Sequence, residues 1–371
     1  MSRGPVGVAL IGAGNISKQY LDNLTVFPDI RVVAITDLYP EAAKARAEEY
    51  GIVEHGTPEL ALEHPDVEIV VNLTIPAVHA DVALQAIRAG KHVWSEKPLA
   101  LDRESGREVL EAAAAAGVRV GCAPDTFLGA GLQTARRVIE RGDIGTPLTA
   151  QTVMQYPGPD RWHPNPAFLF QRGAGPLFDM GPYYVTALVQ TFGSARRVAA
   201  MGSAALTRRT VATGPLAGET FDVEVPTHVS AQIEFEGGAS SHSVFSFQSP
   251  HVRTGYVEVT GTEATLLIPD PNNFDGELQL IRPGEDDWTG IPASGAAQGR
   301  GMGVLDLARS IRAGAPHRAT GELAFHVLDT MIAISDSVER GEFLTVDSSA
   351  EPSAPLPEDW DPLAATLEGT A

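Results

Sequence analysis

Positions 93–102 read VWSEKPLALD, an apolar strand-like run that ends on a carboxylate, an ammonium and a proline in direct succession. Open α/β sheets place their ligands at the carboxyl ends of the strands. Glu96 and Lys97 therefore stand where a bound molecule would be worked on, and Pro98 fixes the backbone that presents them. An ammonium in such a place can polarise or deprotonate a reacting oxygen. A second chemical signal lies in ALIGAGNISKQYL, where Gly12 and Gly14 occupy a strand-to-helix turn. The first glycine permits the tight turn, and the second lets backbone approach a pyrophosphate at the positive end of a helix. Asn15 and Ile16 follow in the first helical turn, and Ser17 stands where a third glycine is usual. Asp37 ends the next strand-like run, at the spacing where a carboxylate accepts from a ribose 2′-hydroxyl and repels a 2′-phosphate. No arginine directly follows it in TDLYPEAAK, so NAD is favoured over NADP.

Groups at strand ends need a sheet to hold them. To about residue 125 short apolar runs alternate with helical stretches: VGVALIG, IRVVAIT, VEIVVNLT, KHVWS and VRVGCA. Continuous apolarity is what strands buried on both faces require. Thr57-Pro58 reads as a helix N-cap followed by proline at the first helical position, and Asp102 as the cap of RESGREVLEAAAAAG. Gly90 and Gly117 sit where helices end in left-handed glycine. This alternation predicts a parallel, doubly wound Rossmann sheet over 1–125.

The texture then changes. HVSAQIEF puts Val229, Ala231, Ile233 and Phe235 on one face, and SHSVFSF and GYVEVTG follow with glycine-bearing turns between. That pattern predicts an α+β domain over 126–348 with a largely antiparallel, open-faced sheet. The stretch 157–176, dense in Pro, Gly and Asn, reads as a long functional loop ahead of the helix PLFDMGPYYVTALVQTFG. Helices near 302–313 and 321–340 are expected to pack back on the first domain, with 349–371 a loosely held tail.

Composition excludes several classes. The chain has 371 residues, 43% of them hydrophobic, and a formal charge of -20, which opposes nucleic acid and anionic membranes. No apolar run approaches the roughly 20 residues a membrane span needs, and Val6 opens the first strand too early for a leader. One cysteine, Cys122, rules out a disulfide framework and a multi-thiolate zinc site, and no metal is expected. A cytoplasmic protein is the expectation.

From about residue 5 to 345 the chain resembles the Gfo/Idh/MocA family of NAD(P)-dependent oxidoreductases, through GAGNIS, TIPAVH, EKPLAL, RGDIGTP and GAGPLFDMGPYY. The resemblance implies that Lys97 reaches both nicotinamide ribose and substrate, that Glu96 contacts that ribose, and that the Lys97–Pro98 bond is often cis. It implies that Thr74, Pro76 and His79 form a turn bordering the same end of the cofactor. Many members carry an Asp and a His one helical turn apart; here they are Asp179 and Tyr183, so the proton chemistry changes. A phenol with a pKa of about 10 is a poor base unless a cation such as Lys97 favours its phenolate. Lys97 itself, or His163 in RWHPNPAF, could serve instead. Trp162 and His163 are the expected substrate contacts, while Asp125 and His326 are left outside the site.

The resulting expectation is NAD-dependent hydride transfer at a secondary carbinol of a sugar, cyclitol or glycoside, by a homodimer or homotetramer, with Lys97, Asp179 and Tyr183 catalytic. The alternatives are a lyase- or glycosidase-type enzyme with transient redox, and a non-catalytic NAD sensor of the same fold.

Overall fold

The computed structural model describes residues 4–367; the last four residues of the expected tail lie outside them. The chain forms two compact units. One comprises the chain up to Gln133, the segment Ser294–Phe325 and the chain from Ser353 onward; the other comprises Thr134–Ala293 and His326–Pro352.

In the first unit, β1 (Val6–Ile11), α1 (Asn15–Leu24), β2 (Ile30–Thr36), α2 (Pro40–Tyr50), β3 (Glu54–Gly56) and α3 (Pro58–Glu63) lead to β4 (Ile69–Asn72). Then come α4 (His79–Arg88), β5 (His92–Ser95), α5 (Arg103–Ala116) and β6 (Val120–Cys122). The six strands lie in the order β3-β2-β1-β4-β5-β6, and every pairing is parallel. The order reverses direction between β1 and β4, which is where doubly wound sheets open a crevice for ligands. The central strands β1 and β4 are buried throughout, as a sheet covered on both faces demands. Strand β3 was not foreseen, because its three residues, EHG, are polar and lie at the sheet edge. Asp102 caps α5 by accepting from Ser105 N at 2.8 Å, and Gly117 closes it in the left-handed region. Thr57 occupies an N-cap position before Pro58, without a side-chain bond to the backbone.

Later segments complete this unit. Cys122 N donates to Ala319 O at 3.1 Å, beside a bridge between Gly121 and Thr320. Helix α8 (Met302–Ala313) lies against β6. Gly303 packs on the fully buried Trp94 so closely that a Cβ there would come within 1.9 Å of the indole. The tail expected to be loose is tied down as far as Leu367. Leu356 is buried and its N–H donates to Gln133 Oε1 at 2.6 Å. Asp29, wholly buried, accepts from Arg309 Nε at 2.8 Å and from the backbone N–H groups of Thr366 and Leu367, each at 2.9 Å. Burial works against the Asp29 charge, but these donors outweigh it and hold the carboxyl below its ordinary value.

Between the first unit's main segment and its later ones, the chain passes α6 (Ala130–Glu140), β7 (Pro147–Gln155), α7 (Gly175–Phe192), β8 (Ala195–Ser203), β9 (Arg208–Thr210) and β10 (Thr220–Asp222). It continues through β11 (His228–Phe235), β12 (Ser240–Ser246), β13 (Arg253–Gly261), β14 (Thr265–Ile268), β15 (Leu278–Ile281) and β16 (Thr289–Ile291). Helix α9 (Gly321–Arg340) and β17 (Leu344–Thr345) come last. Nine strands of the second unit form one sheet, β16-β15-β14-β13-β7-β12-β11-β8-β17, antiparallel except where β12 pairs parallel with β7. In β11 Val229, Ala231, Ile233 and Phe235 are buried, as the alternation predicts, while Gln232 and His242 on the neighbouring strand are exposed. Helix α7 covers β7, β11 and β12. His326 is a core residue: its Nε2 accepts from Ala195 N at 2.9 Å and its other ring nitrogen meets Ser348 Oγ. The 157–176 loop is not structureless, since short 3-10 turns at Pro159–Arg161 and Ala167–Phe170 organise it.

Candidate active site

At the end of β1, Gly12 adopts φ +112°, and a Cβ there would lie 2.5 Å from Leu73 O. Only glycine fits. Gly14 is the N-cap of α1, with no side-chain cap bond and open space where its Cβ would be. The amides that begin α1, at Asn15 and Ile16, are therefore approachable by a phosphate. Ser17 does more than substitute for a small residue: it is buried, and its hydroxyl donates to Gly14 O at 2.6 Å, pinning the turn. Asp37 Oδ2 accepts from Ala13 N at 2.8 Å and Oδ1 from Tyr39 N at 2.9 Å. The carboxylate is thus fixed beside the glycine turn and also caps the turn after it. These features fit a dinucleotide with a free ribose 2′-hydroxyl.

The ends of β4 and β5 form a second cluster. Asn72, fully buried, donates to His79 O at 2.9 Å and accepts from Thr74 Oγ1 at 2.6 Å. The His79 ring corrects its assignment as a cofactor contact. It is 1% exposed, with Nδ1 2.7 Å from Pro98 O and Nε2 3.1 Å from Thr74 O. It clamps the Thr74–Pro76 turn to the Lys97–Pro98 turn, whose peptide bond is cis. Pro76 is exposed, Thr74 and Lys97 half-buried.

Glu96 is held from the other side. Its Oε1 accepts from Tyr20 Oη at 2.7 Å, its Oε2 from Lys97 N at 3.1 Å, and Trp94 Nε1 donates to the same Tyr20 oxygen at 3.1 Å. Tyr20 lies on α1, the helix that begins at the glycine turn, so one buried chain of hydrogen bonds joins the nucleotide turn to the lysine turn. Burial, reinforced by the Glu96 charge, raises the phenol's pKa, so Tyr20 stays a donor. Sequence reasoning missed Tyr20; a polar tip on the apolar face of α1 was the available signal, but its partner lies 76 residues away. Asp125, left outside the site, is indeed structural. It is fully buried and accepts from Gly301 N at 3.0 Å and Gly303 N at 3.1 Å, at the start of α8. Burial lifts its pKa against the pull of Arg300. Burial also raises the Cys122 thiol, reinforced by Glu96, which leaves it a poor nucleophile.

In the second unit α7 carries Asp179, half-buried, and Tyr183, 7% exposed, one turn apart despite Pro182 within the helix. The next tyrosine, Tyr184, is structural: its oxygen accepts from Gly255 N at 2.7 Å. A residue the sequence did not single out joins this group. Tyr156, just past β7, is kept protonated by burial first and then by the nearby charges of Asp179 and Asp160, and it is hydrogen-bonded to Trp162. Trp162 is 59% exposed, and His163 sits edge-on to it and to Phe168, with ring centroids 5.5 Å apart in each case. His163 Nδ1 accepts from Asn165 N at 3.0 Å.

A model of the "Oxidoreductase family, NAD-binding Rossmann fold" matches residues 6–123, and one of the "GFO/IDH/MocA C-terminal domain" matches 132–267. The chain is 30% identical over 264 residues to the 1,5-anhydro-D-fructose reductase of Ensifer adhaerens, covering 70% of this chain and 74% of that protein. It is 26% identical over 273 residues to the scyllo-inositol 2-dehydrogenase (NAD(+)) of Bacillus subtilis strain 168, covering 71% and 73% respectively. The crystal structure of an NAD binding oxidoreductase from Klebsiella pneumoniae superposes with a TM-score of 0.80 at 25% identity, over 92% of this chain and 99% of that one. The chain is an oxidoreductase with an NAD-binding Rossmann fold, and it belongs to the Gfo/Idh/MocA family. No helix among the described residues is long and apolar enough to cross a membrane.

Proposed function

We propose that the protein catalyses hydride transfer between NAD and a secondary carbinol of a sugar, cyclitol or glycoside. The observation that carries this reading is the Trp94–Tyr20–Glu96 chain, which fixes the lysine turn to the helix that begins at Gly14. An NAD sensor would need the glycine turn and Asp37 but no lysine held in register with them. Relatives named as sugar and inositol oxidoreductases support the substrate class. Bound NAD supplies the hydride acceptor. Gly12, Gly14, Asn15, Ile16 and Asp37 bind it, with Thr74, Pro76 and Glu96 at its nicotinamide end. Lys97 polarises the reacting oxygen, Asp179 orients the substrate's hydroxyls, and Tyr183, His163 or Lys97 carries the proton. Trp162 and His163 contact the sugar. The cofactor is NAD in preference to NADP, because Asp37 would face a 2′-phosphate with like charge.

Purified protein mixed with NAD and a panel of sugars, inositols and anhydrosugars should reduce NAD with at least one of them, followed by absorbance of reduced nicotinamide. NAD binding without turnover on a broad panel would reject the reading. The same reading makes the protein a homodimer or homotetramer joined through the outward sheet face bearing Gln232 and His242, which light scattering at micromolar concentration tests.

A further inference from the structure

The second unit contains a recess of about 480 Å³ lined by Arg161, Arg208 and Arg209 together with Asp160, Gln248 and Ser249. Three guanidinium groups against one carboxylate is an unusual balance in a chain whose formal charge is -20. The arginines differ in what holds them. Arg209 is built in: it donates to Asp160 Oδ1 at 2.7 Å, Pro157 O at 2.8 Å and Phe247 O at 2.6 Å, and stacks 5.1 Å from the centre of the Phe170 ring. It neutralises Asp160 and leaves its own Nε buried without a hydrogen-bond partner. Arg161 lies at a long 3.9 Å from Asp160 Oδ2, and its side chain is 70% exposed. Arg208 pairs through Nε with Asp222 at 3.1 Å, in a bridge whose partners are 65% and 75% exposed, and donates from one terminal nitrogen to Thr220 Oγ1 at 3.0 Å, which leaves its other terminal nitrogen toward solvent. Two guanidinium groups at the mouth thus keep donor capacity above a fixed and neutralised floor.

The charges of the recess and of Asp179 meet at Tyr156. Tyr156 sits between: its phenol feels Asp179 on one hand and Asp160 and Arg209 on the other, and its ring meets Phe247 at 5.2 Å. A guanidinium fork matches a carboxylate or phosphate in shape and charge, and a recess of this size falls within the range of small-molecule sites.

We propose that this recess seats the anionic group of a small acid, a carboxylate or phosphate held by Arg161 and Arg208, borne either by the sugar substrate or by a separate anion. The first source rests on the function proposed above; the second does not. The test uses the full-length protein and the double variant Arg161→Gln/Arg208→Gln, which alters two exposed side chains. Calorimetric titration with inorganic phosphate, glucuronate and glucose 6-phosphate, without NAD, reads binding alone. Turnover with NAD compares the two acidic sugars with glucose.

If the anion belongs to the substrate, acidic sugars should exceed glucose in kcat/KM, and the double variant should lose about tenfold to a hundredfold on them while glucose is unchanged. If it is separate, phosphate should bind the wild type, be lost in the variant and be displaced by added salt, whatever the turnover panel shows. Absence of binding by all three acids to the wild type at millimolar concentration overturns the proposal, even if neutral sugars are oxidised. Equal binding to wild type and variant overturns it as well.

Discussion

The two units hold their candidate groups by different means. In the first, the side chains around the nucleotide turn are fixed largely by backbone: Asp37 by the amides of Ala13 and Tyr39, His79 by the carbonyls of Thr74 and Pro98, Glu96 by the amide of Lys97. In the second, ring contacts and charge carry more of the load: Trp162 and Phe168 flank His163, which also accepts from Asn165 N, and Tyr156 meets Phe247 and the charges of Asp179 and Asp160, all ahead of α7. Backbone partners come with the fold and vary little with side-chain identity, whereas a ring-and-charge arrangement can be re-cut residue by residue. Under the proposed function, the first unit would serve a constant ligand and the second a substrate-specific one.

Four substitutions test that contrast, from the largest effect down. Lys97→Ala should lower kcat/KM by about a thousandfold while leaving NAD affinity within a few-fold, measured by turnover and by titration of NAD. Equal losses in both would mean that the lysine merely builds the nucleotide site. Asp37→Ala should weaken NAD by about tenfold to a hundredfold and narrow the gap to NADP, read from KM for each. Tyr20→Phe removes one hydroxyl and leaves Glu96 Oε1 and Trp94 Nε1 without their partner, so it should destabilise the unit by about 1–3 kcal/mol in denaturant melts. It should also lower kcat more than it raises KM for NAD, a split that simple loss of packing would not give. Tyr156→Phe, in the ring-held unit, should change KM for sugar by only about threefold and leave NAD binding untouched.

A fifth prediction concerns pH. The Asp29 carboxyl lies below its ordinary value in the folded chain, so its stabilisation is complete above the unfolded value, near 4, and is lost as pH falls through the folded one. Melting temperature should drop as pH is taken from 5 to 3, and Asp29→Asn should flatten that drop while lowering stability at neutral pH.

Much of the first unit was legible because its signals are local. Gly12 and Gly14 follow a strand directly, and five of the six strands announce themselves as apolar runs; only the polar edge strand β3 does not. What escaped depends on partners far along the chain. Nothing near Tyr20 names Glu96, nothing near His79 names the Pro98 carbonyl, and Asp29 meets Thr366 across 337 positions. In the second unit the alternation of β11 was readable, whereas Tyr156 has no motif. It is defined by charges that the fold assembles around it.

The attachment of residues 319–320 and of the closing segment to the β6 side of the first sheet bears on how the protein is made. A ribosome delivers the glycine turn early, yet residues 319–320 emerge only after Thr134–Ala293, and the closing segment only after His326–Pro352 as well. The amino-terminal segment must therefore wait, partly uncovered, through the synthesis of the 160 residues from Thr134 to Ala293. Expressed alone it would lack its own lid, and chaperone dependence during translation should exceed that of a Rossmann protein whose sheet is finished before its next domain begins.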